Sequence, residues 1–218
     1  GMEMSELLPN IASVADDICL VRSMTTDLFN HAPAELFLFT GSGRPGRPSM
    51  GSWGTYGLGS ESKGLPGFIV LHSPSRGWNP GIQAGASCWS SGFLPTTHQG
   101  VVLRNSGDPV LNLSDPHGVD LQMQRDCISA INKLNAHRQG ITGDPEIATR
   151  VAAFETAYQM QIEAPEITNI SREPKSMLEM YGAVPGQMSF ANNALLARRL
   201  LENGVRFVSL YHKGWDHH

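Results

Sequence analysis

The most constraining feature of this chain is a helix, a glycine and a strand that follow one another near its C-terminal end. Phe190 to Asn203 has the composition of a helix, and Gly204 stands where a glycine helix cap is expected. Val205 to Tyr211 then shows the pattern of a strand. Because a helix that returns to a strand is half of an α/β unit, the sequence predicts an α/β fold with a mostly parallel sheet flanked by helices.

Further apolar runs are predicted to be strands of the same sheet. Phe68 to Leu71 is predicted as a buried strand, and Ile18 to Val21 as a short strand after a helix that begins near Leu7. Shorter strands are possible at Ser91–Leu94 and Gly100–Leu103.

The chain of 218 residues is predicted to be a single domain, 1–218, with two internal regions of different character. Residues 41–116 are predicted to be a loop-rich insertion, because nine glycines fall between Gly41 and Gly67. Trp53 and Tyr56 within it indicate packing and not a disordered linker. Residues 117–203 are predicted to be mainly helical.

Two helices of this second region are defined by apolar spacing. One is predicted over Asp120–Gln139, and the next runs from a cap at Asp144 to Ile162. Four side chains are predicted to lie on the buried side of the second helix: Val151, Phe154, Tyr158 and Ile162.

Composition excludes several classes of protein. The net charge of −4, with scattered Lys and Arg, argues against a nucleic-acid partner. No apolar run approaches the roughly 20 residues needed to span a membrane. Cys19, Cys88 and Cys127 are widely spaced, so the sequence predicts three buried thiols and neither a disulfide framework nor a zinc ribbon.

Asn30 and His31 precede a predicted helix over Ala32–Phe39, which Thr40–Gly41 ends. A polar group at a helix N-terminus sits in a positive field beside free N–H groups, which suits a sulfate or phosphate oxyanion. His31 could be a nucleophile, a general acid or a phosphate contact. The alternative is structural, with Asn30 capping the helix and His31 merely nearby.

Arg47 and Ser49 are the candidate oxyanion-binding residues of the glycine-rich region. An arginine guanidinium binds oxyanions in a bidentate manner, and Arg44 lies close by in the sequence. The alternative is that these are loop residues that only shape the rim of a site.

Asp216, His217 and His218 follow the last predicted strand and are candidate metal ligands. A carboxylate and imidazoles at the carboxyl end of a strand suit a divalent metal such as zinc. His212 is added to this set because it shares the strand end. The alternatives are a solvated chain end or the start of a purification tag.

Six motifs spread over the chain resemble one bacterial family. Together they identify the chain as a member of the family called domain of unknown function 1501, which is placed in the alkaline phosphatase superfamily and is similar to sulfatases. The motifs are Asn30–Ala34, Gly46–Trp53, Tyr56–Ser60, Leu65–Phe68, Gly107–Pro109 and Trp215–His218.

The resemblance implies a metal-dependent hydrolase of sulfate or phosphate esters, acting on an anionic small molecule or glycan with zinc or a similar divalent ion. It places His31 at the position of the sulfatase nucleophile. It also implies an exported or periplasmic protein, and longer relatives imply that this chain is an incomplete domain, inactive alone. The competing interpretation is a non-catalytic module that binds an anionic glycan or an assembly partner, since His31 replaces the nucleophilic Cys or Ser.

Overall fold

A three-stranded parallel sheet forms the centre of the molecule. A computed structural model describes residues 2–62, 64–73, 82–103 and 120–212. Strands β1 (Phe68–Ser73), β2 (Val101–Leu103) and β3 (Phe207–His212) lie in the order β2-β1-β3, and both pairings are parallel. The predicted α/β fold with a parallel sheet flanked by helices is confirmed.

Each face of the sheet is covered by a different set of elements, because alternate residues of β1 point to opposite faces. Ile69 and Leu71 pack with β2, α5 and α7, whereas Phe68 and Val70 pack with α2 and the segment around Trp89. The α-helices are α1 (Pro9–Ala12), α2 (His31–Thr40), α3 (Met50–Leu58), α4 (Leu121–Thr142), α5 (Pro145–Thr168), α6 (Lys175–Tyr181) and α7 (Phe190–Glu202). The sheet is therefore the middle of three layers.

Two of the predicted strands are wrong. Ile18–Val21 belongs to no sheet among the described residues, and Leu20 and Val21 are more than half exposed. Ser91–Leu94 is a turn in which the Leu94 amide donates to the Ser91 carbonyl at 2.9 Å. A short apolar run identifies a strand only where a sheet edge is within reach, and neither segment has one in the described structure.

The glycine-rich region contains a helix that the sequence did not reveal. Ser49 begins α3, which carries three glycines, and intrinsic helix propensity therefore opposed it. Gly51 lies against the ring of Phe68, where a larger side chain would not fit. Tertiary packing on β1 accordingly outweighs the weak local propensity.

The α5 helix continues past its predicted end at Ile162 and past Pro165 to Thr168. Ala164 and Ile167 are buried in the core on this last part of the helix. The Arg199 guanidinium donates to the Ile167 carbonyl at 2.7 Å and to that of Glu166 at 3.1 Å. These contacts stabilise a stretch that an internal proline would otherwise break.

The buried side of α5 differs from the predicted one. Tyr158 is buried as expected, but Phe154 and Ile162 are 47% and 45% exposed. The residues that enter the core are Met160, Ala164 and Ile167. The buried side differs because α5 lies between the sheet layer and α4, and the contacts that α5 makes with α4 are largely polar.

The prediction of three buried thiols is correct for Cys88 alone, since Cys19 and Cys127 are exposed. Both lie on segments that bury little, the extended stretch after α1 and the outer helix α4. Among the described helices, we find none with both the length and the apolar character of a membrane span.

Candidate active site at the carboxyl edge of the sheet

The carboxyl ends of β1 and β3 bring two histidines to one edge of the sheet. In the parallel register His72 pairs with Tyr211, and Ser73 pairs with His212. Ligand sites of open α/β sheets lie at this carboxyl edge. The register therefore places His212, a predicted metal ligand, at this edge.

A cluster of rings surrounds His72. Its imidazole centroid lies 5.1 Å from that of Trp89 and 5.5 Å from that of Tyr211. Phe39 of α2 packs edge-on against Tyr211 at 5.1 Å. These contacts fix the orientation of the His72 ring and attach α2 to the end of β3.

Two acidic groups beside this cluster are held in their neutral forms. Burial raises the pKa of the Cys88 thiol to about 12, and the Glu35 carboxylate adds to the shift. Burial also raises the pKa of the Tyr211 phenol, with a further contribution from Cys88. Glu35 itself accepts a hydrogen bond from the Ala84 amide at 2.8 Å. The thiol is thus a packing group and not an activated nucleophile.

The β1 end of the site is supported by α7. Asn193 is fully buried, and its Nδ2 donates to the Ser73 hydroxyl at 3.2 Å. Phe190, the first residue of α7, packs its ring 4.9 Å from that of His212. The His212 side chain is held from this side while the residue remains exposed.

Helix α2 begins where the sequence predicted. Asn30 is its N-cap residue with extended backbone, and His31 is the first helical residue. The Asn30 side chain makes no capping hydrogen bond, so the purely structural role considered for it is not observed. His31 is exposed at the positive end of a ten-residue helix.

Ser49 lies in the interior, away from the surface position that an oxyanion-binding residue suggests. It is 1% exposed and is the N-cap of α3, where its Oγ accepts from the Ser52 amide at 3.4 Å. The Ser49 and Ser52 hydroxyls are 2.9 Å apart. It also lines a mainly apolar cavity of about 50 Å³ with Cys88 and Ser209. Arg47 is exposed two residues earlier. Oxyanion binding by this pair remains a prediction.

The other predicted metal ligands, Asp216, His217 and His218, lie outside the described residues. Within the described ranges, no group of three or more His, Cys, Asp or Glu side chains is placed to hold a metal. His212 is therefore the single predicted ligand whose position is known.

The structure adds residues to the site that the sequence analysis did not identify. His72 directly follows the predicted strand Phe68–Leu71, so its place at a strand end could have been recognised. Tyr211 ends the other predicted strand in the same way. The roles of Trp89 and Asn193 depend on contacts between distant segments and left no local signal.

A family model described as protein of unknown function (DUF1501) matches residues 1–218, the whole chain. No curated protein matches the chain, and no solved structure does.

Proposed function

Since the chain belongs to the DUF1501 family, which carries no assigned activity, we propose that it forms the substrate-binding edge of a metal-dependent hydrolase. The substrates are sulfate or phosphate esters of an anionic small molecule or glycan. The proposal includes membership of the sulfatase-like group within the alkaline phosphatase superfamily, and export from the cell.

One observation carries this proposal. His72 and His212 share the carboxyl edge of a parallel sheet, and α2 packs against Tyr211 of that edge through Phe39. The exposed His31 begins the same helix, about 12 Å along its axis from Phe39 at 1.5 Å per residue. A helix N-terminus and imidazoles suit an oxyanion and a divalent cation respectively. The proposal is that these two kinds of group act on one substrate.

The residues have separate roles in this proposal. His31 contacts the ester oxyanion, where the α2 dipole and the imidazole N–H both favour negative charge. His212 donates a nitrogen to the metal, and its exposed imidazole fits that role. The remaining ligands would be Asp216, His217 and His218. A bound divalent ion would supply Lewis acidity to the ester oxygens. The ring cluster around His72 keeps water from one side of the site.

A second candidate is a non-catalytic module that binds an anionic glycan. It is favoured by His31, which stands where sulfatases carry a nucleophilic Cys or Ser, and the buried Cys88 thiol near this edge, whose pKa burial raises to about 12, is no substitute for that nucleophile. His31, at the position of a sulfatase nucleophile, would then only bind. The two candidates share their ligands and differ in turnover.

The test combines binding and turnover in the 218-residue chain. Zinc and manganese are titrated by calorimetry, inorganic sulfate and phosphate are titrated with the metal present, and aryl sulfate and aryl phosphate are assayed for hydrolysis. We expect His212→Ala to weaken metal binding and His31→Ala to weaken anion binding. His137→Ala, an exposed histidine on α4, is the matched control and should change neither.

The outcomes separate the two candidates. Metal-dependent turnover that disappears in His31→Ala establishes the hydrolase. Binding of metal and anion with the expected residue dependence, but without turnover, fits both the binding module and a hydrolase that is inactive in this chain alone, and the same ester assay on a longer family member then decides between them. Binding that is absent, or equally affected by His137→Ala, refutes both.

A further inference from the structure

The N-terminal end of α7 lies at the carboxyl edge of the sheet. Phe190, the first residue of the helix, packs its ring 4.9 Å from that of His212, the last residue of β3. About one turn later, Asn193 contacts Ser73, the last residue of β1. The positive end of the α7 dipole is therefore at the edge where the candidate site lies.

Helix α2 meets the same edge with its other end. Phe39, which packs against Tyr211, is the ninth of the ten residues of α2. The N-terminus of α2 accordingly lies about 12 Å farther along the helix axis. Of these two helices, α7 is the one that brings its N-terminal N–H groups to the strand ends.

Two of those N–H groups have no acceptor in the part of the chain that the structure describes. The Ser189 hydroxyl accepts from the Asn192 amide at 3.0 Å, and the Ser189 carbonyl accepts from the Asn193 amide at 3.2 Å. The amides of Phe190 and Ala191 donate to no described residue. Unpaired N–H groups at the positive end of a helix favour an anion.

The Asn193 carboxamide is a second and independent indication of a ligand. The residue is fully buried and its Nδ2 donates to the Ser73 hydroxyl, but its Oδ1 has no hydrogen-bond partner among the described residues. A buried carbonyl oxygen without a donor costs free energy. Helical side chains point back toward the start of their helix, so this carboxamide lies on the side of the unpaired amides.

The charges at the start of α7 are compatible with an anion. The segment that leads into the helix and forms its first turn, Ala183–Asn193, contains no acidic residue. The ring that packs on Phe190 belongs to His212, whose imidazole is neutral or cationic. Neither the helix start nor its aromatic neighbour repels a negative charge.

We propose that the start of α7 binds a phosphate group that carries a proton, either as free hydrogen phosphate or as a singly protonated ester. The Phe190 and Ala191 amides donate to phosphate oxygens, and the P–OH group donates to Asn193 Oδ1. Sulfate carries no such proton, so it leaves the Asn193 oxygen buried without a donor. This inference rests on the proposed function for the position of the site, and it narrows the substrates to phosphate esters.

Amide NMR spectra of the 15N-labelled chain in metal-free buffer test the proposal. Inorganic phosphate, phenyl phosphate, inorganic sulfate and phenyl sulfate are titrated at about pH 5, below the second phosphate pKa of about 6. We expect both phosphates to shift the Phe190 and Ala191 amide signals and to bind at least about tenfold more tightly than the matching sulfates. Binding of phenyl phosphate identifies the ester as a ligand, and binding of inorganic phosphate alone identifies the released ion.

Phe190→Pro tests the first amide of the helix. Proline has no N–H and is well tolerated at the first helical position, where the preceding Ser189 is already extended. Phe190→Ala is the matched control, because both variants lose the ring and only the proline variant loses the N–H group. We expect Phe190→Pro to bind inorganic phosphate about tenfold more weakly than Phe190→Ala does.

Asn193→Leu tests the selectivity, because leucine has a similar size and no acceptor. We expect this variant to lose the preference for phosphate over sulfate, and thermal unfolding checks that it is folded. Equal binding of phosphate and sulfate by the unaltered chain, or equal phosphate affinity in Phe190→Pro and Phe190→Ala, overturns the proposal.

His31→Ala separates this proposal from the proposed function. Phosphate binding that requires His31 and is unaffected by Phe190→Pro and Asn193→Leu overturns the α7 site and leaves the proposed contact at α2 intact. Phosphate binding that depends on the α7 residues alone supports the α7 site and contradicts the role proposed for His31.

Discussion

Substituting alanine for Gly51 should destabilise the protein, because α3 approaches the sheet at this residue. A Cβ added to Gly51 would lie 2.6 to 2.7 Å from three atoms of the Phe68 ring. That ring is 2% exposed and packs edge-on against Phe207 at 5.4 Å. A Cβ at Gly100 would meet the same ring at 2.8 Å, so Phe68 has little room to move away.

The expected magnitude follows from two opposing terms. Forcing a methyl group into a well-packed core costs about 1–3 kcal/mol, and this site lies at the upper end because the ring is confined. Replacing glycine with alanine within a helix stabilises the helix by about 1 kcal/mol. We therefore expect a net loss of about 1–2 kcal/mol, which lowers Tm by roughly 2–8 °C for a chain of this size.

Gly57 provides the matched control on the same helix. A Cβ at Gly57 would meet nothing within 4 Å, so Gly57→Ala keeps only the helix-propensity gain of about 0.5–1 kcal/mol. Urea unfolding followed by circular dichroism measures both variants. If Gly51→Ala proves as stable as Gly57→Ala, the close packing of α3 on Phe68 is refuted.

The remaining predictions concern buried ionisable groups. Burial raises the folded-state pKa of Cys88 from 9.0 to about 12, so the neutral thiol contributes stability below pH 9 that is lost as the pH rises from about 9 to about 12. Urea unfolding at several pH values should therefore show that Cys88→Ala loses less unfolding free energy over this window than the unaltered protein does. Thiol titration with a chromogenic disulfide at pH 8 should detect two fast thiols in the folded chain and the third only after unfolding, and three fast thiols would contradict the burial of Cys88. Arg199→Ala should lower the free energy of unfolding by about 3–5 kcal/mol in the same assay, because it leaves the largely buried Glu173 without its cation. Arg198→Ala is the control, since it removes an exposed ion pair with Glu202 and should change stability little. Equal losses in the two variants would show that burial of the ion pair does not matter here.

Local sequence was sufficient to predict those helices and strands whose apolar pattern and end residues lie within the element itself. Residues 68–71 were identifiable as a strand because four consecutive apolar residues follow a proline and a glycine. The α7 helix and its end at Gly204, where φ is +84°, followed from periodicity and cap chemistry. Helix α2 was bounded by Pro33 and by Gly41. None of these required a distant contact.

The strand predicted at Ile18–Val21 shows where such signals become ambiguous. It has the same apolar character as Phe68–Leu71, yet it is largely exposed and not part of the sheet. Whether an apolar run becomes a strand depends on a free sheet edge, which is a property of the whole fold. Helix α3 is the converse case, since its glycines oppose a helix locally but are what allow it to pack on Phe68.

The candidate site was predictable in its residue types but not in its arrangement. His212 and Asn30–His31 were found because strand ends and helix starts are local features. The pairing of His72 with Tyr211 depends on the parallel register between β1 and β3, which are far apart in the sequence. The burial of Ser49 was not predictable for a related reason, since it depends on α3, which the sequence did not reveal.

Helix α4 shows why polarity alone does not decide which side of a helix faces inward. Its polar stripe faces α5 because Glu155 and Tyr158 there offer partners to Asn132 and Arg125. Apolar spacing had identified the helix, but its apolar stripe is the side left exposed. Among the described residues of α4 and α5, those in the buried core belong to α5, such as Met160 and Ala164, so α4 buries little apolar surface.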